Sequence, residues 1–95
     1  MNNTGTPMEI RNWSVDISIA EREGRTHARA RLHTADATSL EASGSARLRP
    51  TDRDVPEIGE ELAAARALSA LAHLLLETAA DDIEGVTHAP VTLSD

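Results

Sequence analysis

The chain of 95 residues has no cysteine, no lysine, no phenylalanine and no tyrosine, and Trp13 is its one aromatic residue. Without cysteine there are no disulfides and no thiolate metal centres. Without phenylalanine or tyrosine there is no aromatic platform of the kind on which sheet proteins stack unpaired bases. A nucleic acid bound here is therefore read through its backbone and shape. The same lack thins the core: sixteen alanines fill much of the apolar quota, and alanine contributes little burial energy beside leucine or isoleucine. A chain this short forms one domain at most and buries about 60–65% of its unfolded surface. Association between copies is a common remedy for so small a core. Long apolar runs are missing as well. Residues 1–12 lack the apolar stretch of a signal peptide, and no segment is read as approaching the roughly 20 apolar residues of a bilayer span. The expectation is a cytoplasmic protein with no membrane partner.

What is present is charge, unevenly placed. All nine cations are arginine against sixteen acids, for a formal charge of −7. Residues 25–53 carry six arginines against Asp36, Glu41 and Asp52, a net of +3. Residues 54–95 carry Arg66 alone against nine acids, a net of −8, and residues 1–24 carry two arginines against four acids, a net of −2. Overall acidity opposes non-specific polyanion binding, but a segregated basic middle leaves room for one local anion-binding face.

Residues 13–20, WSVDISIA, alternate cleanly, with Trp13, Val15, Ile17 and Ile19 on one side, and predict a half-buried strand. Glu21-Arg22-Glu23-Gly24 suits a hairpin connection with a residue at positive φ. RTHARARLH, residues 25–33, alternates again: Arg25, His27, Arg29, Arg31 and His33 against Thr26, Ala28, Ala30 and Leu32. After a turn at 34–38, residues 39–48 alternate a third time, with Gly44 on the apolar side marking a bulge or a close helix approach. Three successive strands of this kind make an antiparallel meander with one packed face. Asp54, Pro56 and Glu57 carry helix-start chemistry. A long helix follows, with Ile58, Leu62, Ala65, Leu68, Ala72, Leu75, Leu76 and Ala79 on one broad side. Its apolar arc is wider than a three-stranded sheet needs: either loops or the C-terminal segment cover the surplus, or a helix edge (Ala63, Ala67, Leu71 and Leu74) is buried in a dimer interface. Asp81 is read as the cap of a second, short helix carrying Ile83 and Val86. The fold class is thus α+β, a three-stranded antiparallel meander packed on one long C-terminal helix plus a short terminal helix. Residues 1–10 are read as a disordered tail, 11–90 as the domain and 91–95 as a C-terminal tail.

The basic strand face is the main candidate site: Arg25, His27, Arg29, Arg31 and His33, extended by Arg47 from the third strand. Side chains recur about every 6.6 Å along such a face, close to phosphate spacing along one nucleic-acid strand, and arginine makes bidentate phosphate contacts. The other reading is a solvated face whose cations pair with Glu41 or Asp16 across the sheet. His27 and His33 stand roughly 20 Å apart and share no metal. His73 and Glu77, at i and i+4, supply only two ligands. No arrangement of nucleophile, base and orienting group is present, so neither an enzyme, a cofactor, a metal nor a small-molecule substrate is expected.

Several runs resemble a known family: Trp13 to Ile17, Ala46 to Pro50, Asp52 to Leu62, Ala65 to Ser69, Asp82 to Glu84 and Val86 to His88. They are similar to a small actinobacterial family of unknown function called double-stranded-RNA-binding-domain-like. Its mycobacterial members are linked to dormancy and hypoxia and likened to ribosome hibernation factors. The resemblance covers about residues 11–90 and is most specific from Asp52 to Leu62. It implies an α/β sandwich of a small sheet on a helix, a homodimer, and a stress role in which ribosomal RNA is bound and translation is down-regulated. One departure matters. True double-stranded-RNA-binding domains carry a lysine cluster at the start of their last helix, where this chain has Glu57, Glu60 and Glu61. RNA is therefore expected on the strand face. The alternative is a protein-interaction module whose basic face meets an acidic partner.

Overall fold

Alternating residues dictate three strands, and alanine-rich residues dictate one helix. The computed structural model describes residues 7–36, 39–47, 56–87 and 92–93. Strands β1 (Ser14–Arg22), β2 (Arg25–His33) and β3 (Ser39–Arg47) precede helix α1 (Pro56–Thr87). The sheet is antiparallel in the order β1-β2-β3, so both connections are hairpins between neighbours. Glu23 and Gly24, at φ of 54° and 76°, form the whole first turn. Two successive positive φ values give the mirror-image turn whose twist matches that of its strands. The connection is shorter than the four residues expected, and Arg22 is drawn into the sheet opposite Arg25.

The register puts like with like. Val15, Leu32 and Leu40 form one cross-strand row, Ile17, Ala30 and Ala42 the next, and Ile19, Ala28 and Gly44 a third. All nine lie on the face towards α1. The helix, however, lies along β2 and β3 and scarcely meets β1. Its contact face is made of small residues. Ala63, Ala67 and Leu71 are buried against Ala28, Ala30, Leu32 and Ala46, with Leu40, Ala42 and Leu75 packed around them. A Cβ at Gly44 would collide with the Ala67 backbone and lie 2.6 Å from the Arg66 carbonyl carbon. A Cβ at Gly59 would lie 2.8 Å from Oγ1 of Thr26, itself buried. Helix and sheet thus approach until backbone nearly meets backbone, which only glycine and alanine allow.

This seam corrects four expectations. Ala63, Ala67 and Leu71 belong to the core of the single chain, so they are not a dimer interface, and Leu74 beside them is half-buried. The side of α1 bearing Ile58, Leu62 and Leu68 points away from the core, because leucine and isoleucine are too large for the seam; these three remain 41–51% exposed. Strand β1 is not half-buried: every residue in it is exposed, and Val15, Ile17 and Ile19 keep 40–43% of their surface because the helix is set off to one side. Among the described residues there is no separate terminal helix. α1 runs unbroken for 32 residues through Asp81 to Thr87, about 48 Å. Gly85 weakens its last turns by about 1 kcal/mol without ending it. Leu48, Arg49 and the Asp54 cap lie outside the described residues.

Helix α1 is also long and apolar enough, by length and composition alone, to cross a membrane, contrary to expectation. One face of it is packed on the sheet, and Arg66, in its first half, donates from Nη1 to the Ser45 carbonyl at 2.7 Å.

Glycine substitutions test the seam. Gly44→Ala is expected to destabilise the fold by about 1–3 kcal/mol through overpacking. Gly85→Ala, with nothing within 4 Å of the new Cβ, is expected to stabilise it by about 0.5–1 kcal/mol. Urea denaturation of the two variants measures both.

Candidate anion-binding face of the sheet

The face of the sheet turned away from α1 is uncovered, and register sorts its side chains into five cross-strand rows. From the β1–β2 turn these are Arg22, Arg25 and Arg47; Ala20, His27 and Ser45; Ser18, Arg29 and Ser43; Asp16, Arg31 and Glu41; and Ser14, His33 and Ser39. Successive rows are separated by about 6.6 Å. All six predicted basic positions lie on this one face, as the alternation required.

Their charges are not equally available. Glu41 is held between two arginines: Oε1 accepts from Arg31 Nε at 2.9 Å and lies 2.7 Å from Arg31 Nη2, and Oε2 forms an ion pair with Arg29 Nε at 3.1 Å. His33 Nε2 lies 3.0 Å from Asp16 Oδ2 across the β1–β2 ladder. The half of the face remote from the turn is therefore internally paired, which is the solvated reading of the strand. At the turn end the situation reverses. Arg22, Arg25 and Arg47 are exposed, and among the described residues no carboxylate pairs with any of them. His27, exposed in the next row, lies beside a shallow depression of about 330 Å³ that also involves Ala20, Arg29 and Ser43. The small side chains of Ala20, Ser18 and Ser43 leave that space open.

Arg22 is the residue that sequence reasoning missed. The alternation places it in the connection. The signal was the symmetric run Arg-Glu-Gly-Arg: a two-residue turn at Glu-Gly makes the flanking arginines direct cross-strand neighbours.

Elsewhere the possibilities are fewer. His73 and Glu77 lie with Leu76, Ala80 and Leu93 around a second hollow, and among the described residues no group of three His, Asp or Glu is placed to hold a metal ion. A cleft of about 320 Å³ opens between Trp13 on one side and Leu75, Thr78 and Asp82 on the other. Its floor is Leu32 and Leu40. With Val15, Ile17 and Ile19 it makes the apolar strip that the helix leaves uncovered.

Removing the Glu41 charge separates the two halves of the face. Pairs this exposed stabilise by about 0–1 kcal/mol, so Glu41→Gln is expected to move folding stability by less than about 1 kcal/mol. The difference should shrink further in high salt, as urea denaturation at two ionic strengths would show.

Comparison with known proteins gives relatives over nearly the whole domain. The Rv2632c-like family model matches residues 11–92. The uncharacterized protein Mb1767 of Mycobacterium bovis is 52% identical over 84 residues, covering 88% of both chains. The uncharacterized protein Rv2632c of Mycobacterium tuberculosis is 49% identical over 78 residues, covering 82% of this chain and 83% of its own. The crystal structure of Rv2632c superposes with a TM-score of 0.79 at 42% identity, covering 90% of this chain and all of that one.

Proposed function

The chain belongs to the Rv2632c-like family, and for it we propose a non-enzymatic role in stress or dormancy: docking on ribosomal RNA through the outer face of the sheet, so that translation is down-regulated in the manner of a ribosome hibernation factor. The observation that carries the proposal is the segregation of charge. A chain of net charge −7 gathers Arg22, Arg25, Arg29, Arg31 and Arg47, with His27 and His33, on a single sheet face opposed by only Asp16 and Glu41. The stress and dormancy setting and the ribosomal target rest on the family resemblance. Because no aromatic side chain stands on this face, recognition is of phosphates and shape. The setting is cytoplasmic, with no metal or cofactor and no small-molecule substrate.

The partner most consistent with the rest of the surface is a second copy of the chain. The strip Trp13, Val15, Ile17 and Ile19 is apolar and substantially exposed, and a core this small gains from association. This strip replaces the buried alanines as the proposed interface. Light scattering at micromolar concentration is expected to give twice the chain mass, and Ile17→Glu to give the mass of one chain.

Glu41 favours a second reading. A carboxylate already sits between Arg29 and Arg31, so the face accepts carboxylates and an acidic protein is a chemically matched partner. Co-sedimentation with ribosomes at low and moderate salt tests the first reading; no co-sedimentation at either would refute it. Partners that survive nuclease in a pull-down favour the second.

A further inference from the structure

The outer sheet face contains one row that works against the fold. Like charges directly opposite one another on neighbouring strands are destabilising. Arg22 faces Arg25, and Arg25 faces Arg47. The remedy exists on the same face but not at this end. Glu41, which occupies Arg29 and Arg31, is six residues along β3 from Arg47, about 20 Å. Of the nearby acids, Glu21 pairs with Thr26 on the helix side, and Glu23 sits in the turn without an ion pair to the row. Three guanidinium groups are thus concentrated without a counter-ion among the described residues.

From this juxtaposition we propose that Arg22, Arg25 and Arg47 form a discrete phosphate-binding site, which receives two or three adjacent phosphate groups. The inference rests on the sheet-face reading above and narrows it: the phosphates seat at the turn end, and the Arg29–Glu41–Arg31 end contributes little. With strands about 4.8 Å apart, the three Cα atoms span about 10 Å, a width suited to neighbouring phosphates and too large for a single carboxylate to fill. Guanidinium groups supply paired donors for phosphate oxygens. The platform is held in place from both sides. The two-residue turn fixes Arg22 against Arg25, and the Arg66 bond to the Ser45 carbonyl ties β3 to the helix two residues before Arg47. The shared chemistry is a run of closely spaced phosphates, found in an RNA backbone and in free polyphosphate alike.

The test uses the full chain with two probes, a short labelled oligouridylate followed by fluorescence anisotropy and inorganic tripolyphosphate followed by calorimetry. The Arg22→Ala, Arg25→Ala, Arg47→Ala triple variant is expected to lose about tenfold or more in affinity for oligouridylate. It should also lose most of the salt dependence, which for three engaged phosphates of a single strand is about 20-fold between 50 and 200 mM salt. The Arg29→Ala, Arg31→Ala variant is expected to stay within about threefold of wild type. The melting temperature of the triple variant is expected to hold or rise, because like-charge repulsion is removed. Loss of oligouridylate binding in the triple variant assigns the site to RNA. Loss of tripolyphosphate binding alone assigns it to free polyphosphate. Unchanged binding in the triple variant, or an equal loss in the Arg29, Arg31 variant, overturns the site while leaving the sheet-face reading standing. Wild-type protein that binds neither probe overturns both.

Discussion

The near-contact of backbone with backbone where α1 crosses the sheet is the constraint on which the rest of this molecule depends. Gly44 lies under Ala67, and Gly59 over Thr26. Ala28, Ala30, Ala42 and Ala46 face Ala63 and Ala67 across the same line. Such an interface gains from many close dispersion contacts and little from transfer of large side chains out of water. It is also intolerant of bulk, so it decides where every large apolar residue goes. Ile58, Leu62 and Leu68 are turned outward, and the helix, seated on β2 and β3, leaves β1 without cover. The apolar surface proposed to join two copies is thus a consequence of how tightly one copy is packed.

The same seam leaves the second face of the sheet wholly free, and there electrostatics replaces packing as the organising term. Exposed ion pairs contribute little to stability, so the clamp of Glu41 by Arg29 and Arg31 matters mainly for what it removes from use. It divides one basic strand into a paired segment and an unpaired one. A strand read alone as uniformly basic becomes, in the sheet, a face with a neutralised end and a cationic end.

Much of this was legible in the sequence because the period of two is unambiguous. The three alternating runs placed Arg25, His27, Arg29, Arg31, His33 and Arg47 on one face, and the glycine at position 44 was marked as a bulge or a close helix approach, of which the structure shows the second. What failed was the choice of helix face. Helical periodicity ranks faces by size and hydropathy, so it selected Ile58, Leu62 and Leu68. The structure selected the smallest residues, because the sheet opposite is itself alanine and glycine and no room exists for leucine. That fit is a property of two surfaces together and cannot be seen in either segment alone. Pairing of strand cations with Glu41 and Asp16 was legible as the alternative reading, but which cations they take depends on the register, which places Arg31 opposite both Asp16 and Glu41. The uninterrupted end of α1 was missed for a simpler reason. Asp81 and Gly85 are common at helix boundaries, yet each is tolerated within a helix at a modest cost.

Charge and architecture together give the molecule a direction. The acids concentrate in residues 54–95, where Arg66 alone stands against nine of them, and α1, which carries most of that segment, covers one side of the sheet. Glu57, Glu60 and Glu61 occupy the first two turns of that helix, where the positive end of the helix dipole favours carboxylates and where an anion would otherwise dock. A polyanion approaching from the helix side meets repulsion first. One approaching from the outer side meets Arg22, Arg25 and Arg47, with which no carboxylate among the described residues pairs. Long-range repulsion and short-range attraction of this kind steer binding toward a single orientation. An acidic protein can therefore bind an anion provided its acids lie on one side of the sheet and its unpaired cations on the other.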